Sequence, residues 1–145
     1  MERIIVTAKF HTGHRQLGYP GKCKFVHGHT WQGKVVVSAE ELPRDDLDMS
    51  IDFGAIKNVM RVLDHKMLIT EQDTTFLDAG LFEPEGVVML KGKGPSVENV
   101  AHYVFDGVVS LIEKQYPGKG VRYTVAVTIQ ETENNTFIVE KAVTI

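Results

Sequence analysis

Residues 30–39 read Thr-Trp-Gln-Gly-Lys-Val-Val-Val-Ser-Ala, with a β-branched run from Val35 to Val37. Side chains of this kind pack well on a pleated surface, so the stretch is typical of a β-strand. A second apolar run, residues 4–10, precedes it, and Gly-Tyr-Pro-Gly at 18–21 between the two has the composition of a turn. The sequence therefore predicts a hairpin whose two strands are joined by a long connection.

Two helices and two further strands are predicted after the hairpin. Apolar residues recur at helical spacing behind Asp52 and again behind Ser96, and each of these polar residues is a good N-cap. Period-2 alternation then predicts strands over residues 122–130 and 136–143. The order ββααββ predicts an α+β fold, in which a four-stranded antiparallel sheet carries two helices on one face.

The chain length and the segment that has no predicted element complete the expected organisation. A chain of 145 residues has the size of one ordinary domain, and we expect residues 1–145 to form a single domain. The Asp-, Gly- and Pro-rich segment 70–94 contains no predicted helix or strand. We expect it to be a lid, a subunit contact or an unstructured tip.

The composition limits the partners and the compartment. The chain has 16 Lys and Arg against 19 Asp and Glu, so it lacks the basic excess that nucleic-acid binding requires. Its single cysteine, Cys23, excludes an intrachain disulfide and is typical of a reducing compartment. The apolar run near the N-terminus is too short for a secretory signal, and no stretch is long enough to span a bilayer. We therefore expect a cytoplasmic protein that binds neither nucleic acid nor a membrane.

A group of histidines lies around the connection of the hairpin. His27 and His29 are two residues apart, so on a strand their rings lie on one face. Imidazole is the usual nitrogen ligand of zinc, and a catalytic zinc site typically has three protein ligands. The third ligand is either His11 or His14, which face opposite ways on a regular strand. Cys23 either completes a structural tetrahedron or is a reactive thiol beside an open metal site.

Six short motifs spread over the chain carry a family resemblance. In order, they are AKFHTGHR at 8–15, CKFVHGH at 23–29, IDFG at 51–54, LDH at 63–65, SVEN at 96–99 and QET at 130–132. Together they resemble the 6-pyruvoyl-tetrahydropterin synthase family, which includes the bacterial 6-carboxy-5,6,7,8-tetrahydropterin synthases of queuosine biosynthesis. The resemblance covers essentially the whole chain. It implies the tunnelling fold, or T-fold. It also implies a homo-oligomer, a trimer or a hexamer, with active sites between subunits.

The resemblance also implies which side chains bind zinc. The positions that match the zinc ligands of the family are His14, His27 and His29, so His14 is expected at the site rather than His11. Because three protein ligands leave one position open, the zinc is expected to polarise the hydroxyl groups of a substrate side chain.

The remaining matches imply catalytic and substrate-binding residues. Cys23 matches the catalytic thiol, and Asp64 with His65 matches the pair that works with it from an adjacent subunit. Glu131 matches the carboxylate that anchors the pterin ring, and Glu98 lies where a second pterin contact is expected. From the residues alone, the pair at the helix end and the first-turn Glu98 are equally typical of charges that complement helix dipoles.

The activity implied by the resemblance is a zinc-dependent carbon–oxygen and carbon–carbon lyase that acts on 7,8-dihydroneopterin triphosphate. The three residues between Cys23 and His27 favour the branch that forms 6-carboxy-tetrahydropterin with loss of triphosphate and acetaldehyde. The run at 131–135 is closer to the branch that forms 6-pyruvoyl-tetrahydropterin by triphosphate elimination. We favour the first branch because the spacing changes where the thiol lies. A metal-dependent hydrolase and a non-catalytic pterin-binding scaffold are the alternatives from other classes.

Overall fold

A long antiparallel hairpin forms the centre of the fold. In the computed structural model, which describes residues 1–78 and 80–145, strand β1 (Glu2–His14) pairs with strand β2 (His27–Ala39) along its whole length. Buried and exposed residues alternate along most of both strands, so one face of the hairpin is covered and the other is open. The predicted hairpin with a long connection is confirmed, and both strands extend further than predicted, as far as the histidines.

The sheet has six strands in the described part of the chain, and it is mixed. The strands outside the hairpin are β3 (Lys66–Ile69), β4 (Val87–Met89), β5 (Arg122–Gln130) and β6 (Thr136–Thr144). Their spatial order is β4-β3-β1-β2-β5-β6, and β3 pairs in parallel with both β1 and β4. The predicted four-stranded antiparallel sheet is therefore wrong, although its strands correspond to β1, β2, β5 and β6. The two additional strands have only four and three residues, too few for a period-2 pattern to be detected.

Two helices cover the buried face of the sheet, as predicted. Helix α1 (Phe53–Arg61) contacts β1, and the longer helix α3 (Val97–Gln115) contacts β5 and β6. Both predicted N-caps are present: Asp52 Oδ1 accepts from the Gly54 N–H at 2.7 Å, and Ser96 Oγ accepts from the Asn99 N–H at 3.3 Å. The apolar sides of both helices join the sheet in one core cluster.

The segment between the two long helices contains regular structure. A short helix, α2 (Thr74–Asp78), a 3-10 turn at Pro84–Gly86 and strand β4 lie within it. The possibility of an unstructured tip is therefore wrong for the described residues of this segment. Among the helices that the structure describes, none has the length and apolar character needed to cross a membrane.

Candidate metal centre and active site

Three imidazole rings meet where the central hairpin opens. His14 is the last residue of β1 and pairs with His27, the first residue of β2, while Thr12 pairs with His29. The rings of the three histidines therefore lie on one face, and a ring nitrogen from each lies within 4.8 Å of the others. His11 is exposed on the opposite face of β1. The group His14, His27 and His29, called the histidine group below, could hold a metal ion.

Hydrogen bonds to backbone carbonyls orient two of the three rings. His14 Nδ1 lies 2.6 Å from the Pro95 oxygen, and His27 Nδ1 lies 2.7 Å from the Phe25 oxygen. A carbonyl oxygen only accepts, so each Nδ1 carries the proton and donates it, and each Nε2 keeps a lone pair for a metal. The Nε2 atoms of His14 and His29 are buried without a hydrogen-bond partner among the described residues. A buried nitrogen left in this way costs about 1–3 kcal/mol, and a metal ion would satisfy both atoms.

The electrostatics of the histidine group favour neutral rings. Burial lowers the pKa of His14 to about 4, against the opposing effect of the hydrogen bond to Pro95. Burial also lowers the pKa of His29, and the nearby carboxylate of Glu131 opposes that shift. Because a metal binds the neutral form of imidazole, these rings are ready to coordinate at neutral pH.

A buried tryptophan forms the floor under the histidine group. Trp31 is fully buried, and its ring centroid lies 5.2 Å from that of His14 and 5.5 Å from that of His29. Its Nε1 donates to the Thr12 oxygen at 3.2 Å, which holds the indole in place. Trp31 received no role in the sequence analysis, although it continues the i, i+2 spacing of His27 and His29 along β2.

Glu131 lies beside the histidine group, at the turn that follows β5. Its backbone N–H donates to the Asn135 oxygen at 3.0 Å, and its Oε1 lies 3.7 Å from His29 Nε2. This separation is too long for a hydrogen bond, and burial lowers the pKa of His29, so we interpret the contact as a neighbouring carboxylate rather than an ion pair. A carboxylate is therefore available at the edge of the site.

Cys23 lies in the connection of the hairpin, within a 3-10 turn at Lys22–Lys24, and is half-buried. Its carbonyl accepts a hydrogen bond from the Gln16 N–H at 2.7 Å, which holds the turn close to the end of β1. Among the described residues, the atoms gathered for a metal come from the three histidines and do not include this sulfur. The geometry of a closed His/Cys tetrahedron is therefore not present here.

Asp64 and His65 contact each other on the other face of the hairpin. Asp64 Oδ2 lies 2.9 Å from His65 Nδ1, and Asp64 Oδ1 accepts from the backbone N–H of His11 at 2.7 Å. The hydrogen bond from His11, and to a lesser extent the contact with His65, holds the pKa of Asp64 below its usual value. His65 has φ of 57° and an exposed side chain. Since His11 faces away from the histidine group, the pair does not meet that group within one chain.

Glu98 is exposed in the first turn of α3, where a carboxylate interacts favourably with the helix dipole. It is not among the side chains that the described structure gathers at the histidines. The same loop nevertheless reaches the site through the carbonyl of Pro95, three residues earlier. A backbone carbonyl leaves no side-chain signal, so this contact could not be found from the sequence.

The segment 70–94 is attached to the residues around His14. The Arg15 guanidinium donates twice to the Asp73 carboxylate, at 2.7 and 2.6 Å, and lies 4.2 Å above the ring of Phe76. Asp73 is buried, so this is a well-shielded pair. At the other end of the segment, Gly94 packs against the amide end of the Gln16 side chain. The segment therefore forms a wall at the end of β1.

Comparison with known proteins identifies the family of the chain. A sequence model of the family described as 6-pyruvoyl tetrahydropterin synthase matches residues 3–142. The chain belongs to this family. Two features of the site thus occur in a family member: a histidine group on one sheet face and a cysteine in the neighbouring connection.

Curated relatives carry the name of one branch of the family. A protein of Rickettsia felis named 6-carboxy-5,6,7,8-tetrahydropterin synthase is 36% identical over 70 residues, which are 45% of this chain and 49% of that protein. The protein of the same name from Rickettsia bellii is 28% identical over 98 residues, covering 64% of this chain and 70% of its own length. The chain spans about half the length of the first of these relatives.

Solved structures support the fold over nearly the whole chain. A catalytic-residue mutant of the 6-pyruvoyltetrahydropterin synthase of Plasmodium vivax superposes with a TM-score of 0.69 over 98% of both chains, at 16% identity. The 6-pyruvoyl tetrahydropterin synthase of Caenorhabditis elegans gives a TM-score of 0.59 at 25% identity, covering 97% of this chain and 95% of its own. The mixed sheet with its helical layer is thus the family fold.

Proposed function

We propose that the chain is a zinc-dependent lyase that converts 7,8-dihydroneopterin triphosphate to 6-carboxy-5,6,7,8-tetrahydropterin, with loss of triphosphate and acetaldehyde, as in queuosine biosynthesis. The observation that carries the proposal is the histidine group, whose ring nitrogens lie within 4.8 Å in a member of this family. The name shared by the curated relatives supports the choice of product. The core cluster, which joins the sheet and both helices, supports one domain over residues 1–145, and we propose a cytoplasmic location for it.

The histidine group fits zinc in its chemistry. It offers neutral nitrogen ligands, two of which are buried atoms without a partner among the residues described. Three ligands from the chain leave a position open, and zinc there would supply Lewis-acid polarisation of the oxygen atoms on the substrate side chain. The carbonyls of Pro95 and Phe25 keep the protons of two rings on Nδ1, so the ligand atoms are preset.

Glu131 is the group that we assign to the pterin ring. The N3–H and the 2-amino group of a pterin form a paired donor edge, and a carboxylate accepts from both in a two-point, charge-assisted contact. Glu131 Oε1 lies 3.7 Å from His29 Nε2, so a pterin bound to this carboxylate would lie beside the histidine group. Glu98 is proposed as a second, more peripheral contact.

Cys23, Asp64 and His65 are assigned to proton transfer. A thiolate beside a dication removes carbon-bound protons from the substrate side chain, and Asp64 holds His65 in one tautomer. Asp64 and His65 lie on the sheet face opposite to the histidine group, and this position supports their assignment to the site of a neighbouring copy rather than their own. This supports a homo-oligomer, a trimer or a hexamer, with sites between subunits.

Exposed apolar residues beside the site also support an oligomer. Phe25 and Val26 are 62% and 57% exposed in the single chain, directly before the first histidine of β2. Leu17 and Tyr19 of the same connection are also exposed. Apolar side chains grouped in this way are typical of a contact surface between proteins.

Product analysis tests the proposal. Incubation of the zinc-loaded protein with 7,8-dihydroneopterin triphosphate is expected to release triphosphate and acetaldehyde in equal amounts, and mass spectrometry is expected to detect 6-carboxy-tetrahydropterin. Triphosphate without acetaldehyde would assign the chain to the pyruvoyl-forming branch, the second candidate, which the description of the matched family favours. No consumption of this substrate would refute both.

A further inference from the structure

His11 is the histidine of the first motif that the proposed chemistry does not use. It lies three residues before His14 on β1 and faces the other side of the sheet. Its ring is exposed, and the ring centroid of His65 lies 6.0 Å away, with the two rings edge to face at 73°. Two imidazoles are therefore side by side on the face that does not carry the histidine group.

Each of these two rings has Nδ1 in a polar contact, and within residues 1–78 and 80–145 no hydrogen bond is formed at Nε2. His11 Nδ1 lies 3.1 Å from the hydroxyl oxygen of Thr30, and His65 Nδ1 lies 2.9 Å from Asp64 Oδ2. Both contacts orient a ring through Nδ1, so the Nε2 atoms are left for a ligand. Asp64 joins the two residues, because its other oxygen accepts from the backbone N–H of His11.

The two rings line an open cleft of about 450 Å³. Its floor contains Gly13 and Gly28, which are paired across the hairpin and have no side chains to fill the space. Thr30 and Lys66 complete the polar lining beside His11 and His65. Three ionisable residues thus lie near His11: Asp64, His65 and Lys66. His29 also borders the cleft.

We propose that His11 is a further proton-transfer residue, which acts beside His65 at the site of a neighbouring copy when the side chain of the pterin bound there isomerises. The inference rests on the proposed function. An isomerisation of a hydroxyl-bearing side chain to a ketone removes a proton from one carbon and adds a proton to its neighbour. The Cys23 thiolate takes the first proton, the electron pair of that C–H bond forms the C=C bond of an enol, and the displaced pair of the adjacent C=N bond takes a proton from solvent on nitrogen. His11 Nε2 then takes the hydroxyl proton of the enol as the C=O bond forms, and protonated His65 gives the second proton from Nε2 to the neighbouring carbon. Solvent restores both exposed rings and the thiolate.

The arrangement favours the ring of His11 over its backbone as the acting group. The backbone N–H already has a role, because it holds Asp64 at 2.7 Å, and that bond is independent of the side chain. The ring does not enter the core and faces the cleft, so it is not needed for packing. A substitution at residue 11 therefore removes the imidazole and leaves the orientation of Asp64 and His65 intact.

Steady-state kinetics of His11→Ala with 7,8-dihydroneopterin triphosphate test the inference. We expect kcat to fall about 10²-fold, as for removal of a positioned acid or base, with KM and zinc content unchanged. Added imidazole is expected to restore part of kcat, which a purely structural role would not allow. Thr30→Val, which releases His11 Nδ1, is expected to lower kcat less. His102→Ala is the matched control: it removes a histidine from the surface of α3 and is expected to keep wild-type kcat with no response to imidazole.

The outcomes separate this inference from the proposed function. If the wild-type protein turns over the substrate and His11→Ala has the same kcat, the inference is overturned and the proposed function stands. A loss of kcat that comes with loss of zinc, or that imidazole does not restore, would also overturn it, since His11 would then be a ligand or a structural residue. A wild-type protein that does not consume the substrate would overturn both proposals.

Discussion

Arg15 and Asp73 form an ion pair with two hydrogen bonds. Arg15 directly follows His14 of the histidine group, and Asp73 belongs to the segment 70–94. Pro95 directly follows this segment, and its carbonyl oxygen accepts from His14 Nδ1 at 2.6 Å. The ion pair of Arg15 and the hydrogen bond of His14 thus connect the two ends of this segment to neighbouring residues at the end of β1. We conclude that this segment positions His14, in addition to bordering the site.

The first prediction concerns the stability that this ion pair supplies. Asp73→Asn removes the charge that Arg15 binds, and we expect the free energy of unfolding at pH 7 to fall by about 2 kcal/mol, the size of a hydrogen bond to a charged group. Chemical denaturation measures it. Glu2→Gln is the matched control, since Glu2 binds Arg44 in an exposed pair and is expected to have a much smaller effect. Equal losses for the two variants would contradict this role of Asp73.

The same variant has a predictable pH dependence. The hydrogen bonds from Arg15 lower the pKa of Asp73 in the folded state, so the unfolded chain binds a proton more readily. The stability from this carboxylate is complete above its unfolded pKa of about 3.9 and is lost as the pH falls through the folded pKa. The difference between wild type and Asp73→Asn is therefore expected to be constant near neutrality and to disappear in acid. A difference that grows below pH 4 would contradict this assignment.

The second prediction separates the two histidines of the first motif by their metal content. His27→Ala and His14→Ala are expected to lose bound zinc, while His11→Ala keeps about one zinc per chain, because its ring lies on the opposite face of β1. Elemental analysis of the purified variants after equal exposure to zinc measures this. Loss of zinc only in His11→Ala would show that the site is built differently.

The sequence predicts those features of the site that join residues close together in the chain, and it does not predict those that join distant residues. Some features depend only on neighbours within a few residues, and the structure confirms them. They are the shared strand face of His27 and His29 and the N-caps Asp52 and Ser96. Strands β3 and β4 are too short to carry a pattern, and they depend on distant partners: β3 pairs with β1, and β4 pairs with β3. The pair Arg15–Asp73 joins residues 58 apart, and no local pattern predicts such a contact.

The third prediction concerns the thiol. Cys23→Ser and Cys23→Ala are expected to keep the fold and the zinc, because the sulfur is not part of the histidine group in the described structure. Catalysis is expected to fall roughly 10²-fold or more, as for loss of a positioned base. Circular dichroism, zinc analysis and turnover measure the three properties. A variant that stays fully active would favour a metal-dependent hydrolase, and loss of zinc would make Cys23 a ligand.

The fourth prediction concerns Glu131. Glu131→Gln keeps the shape of the side chain but removes the charge that accepts two hydrogen bonds from a pterin edge. We expect weaker pterin binding, seen as a higher KM or dissociation constant by about 10-fold or more, with zinc content unchanged. Titration with a non-reactive pterin measures binding apart from chemistry. Unchanged pterin affinity, or a loss of zinc, would show that the contact at 3.7 Å to His29 is its main role.

The last prediction tests whether the active site is shared between copies of the chain. Asp64 and His65 lie on the sheet face opposite to the histidine group, so we expect a complete site to need Cys23 of one copy and His65 of another. Cys23→Ala and His65→Ala are each expected to be inactive as pure oligomers. Unfolded together and refolded as a mixture, they are expected to regain activity, because some interfaces then join an intact thiol to an intact imidazole. Cys23→Ala mixed with the double variant Cys23→Ala/His65→Ala is the control and is expected to stay inactive, since it supplies no thiol. A fully active wild-type monomer in sedimentation, or a first mixture as inactive as the control, would show that each chain holds its own complete site.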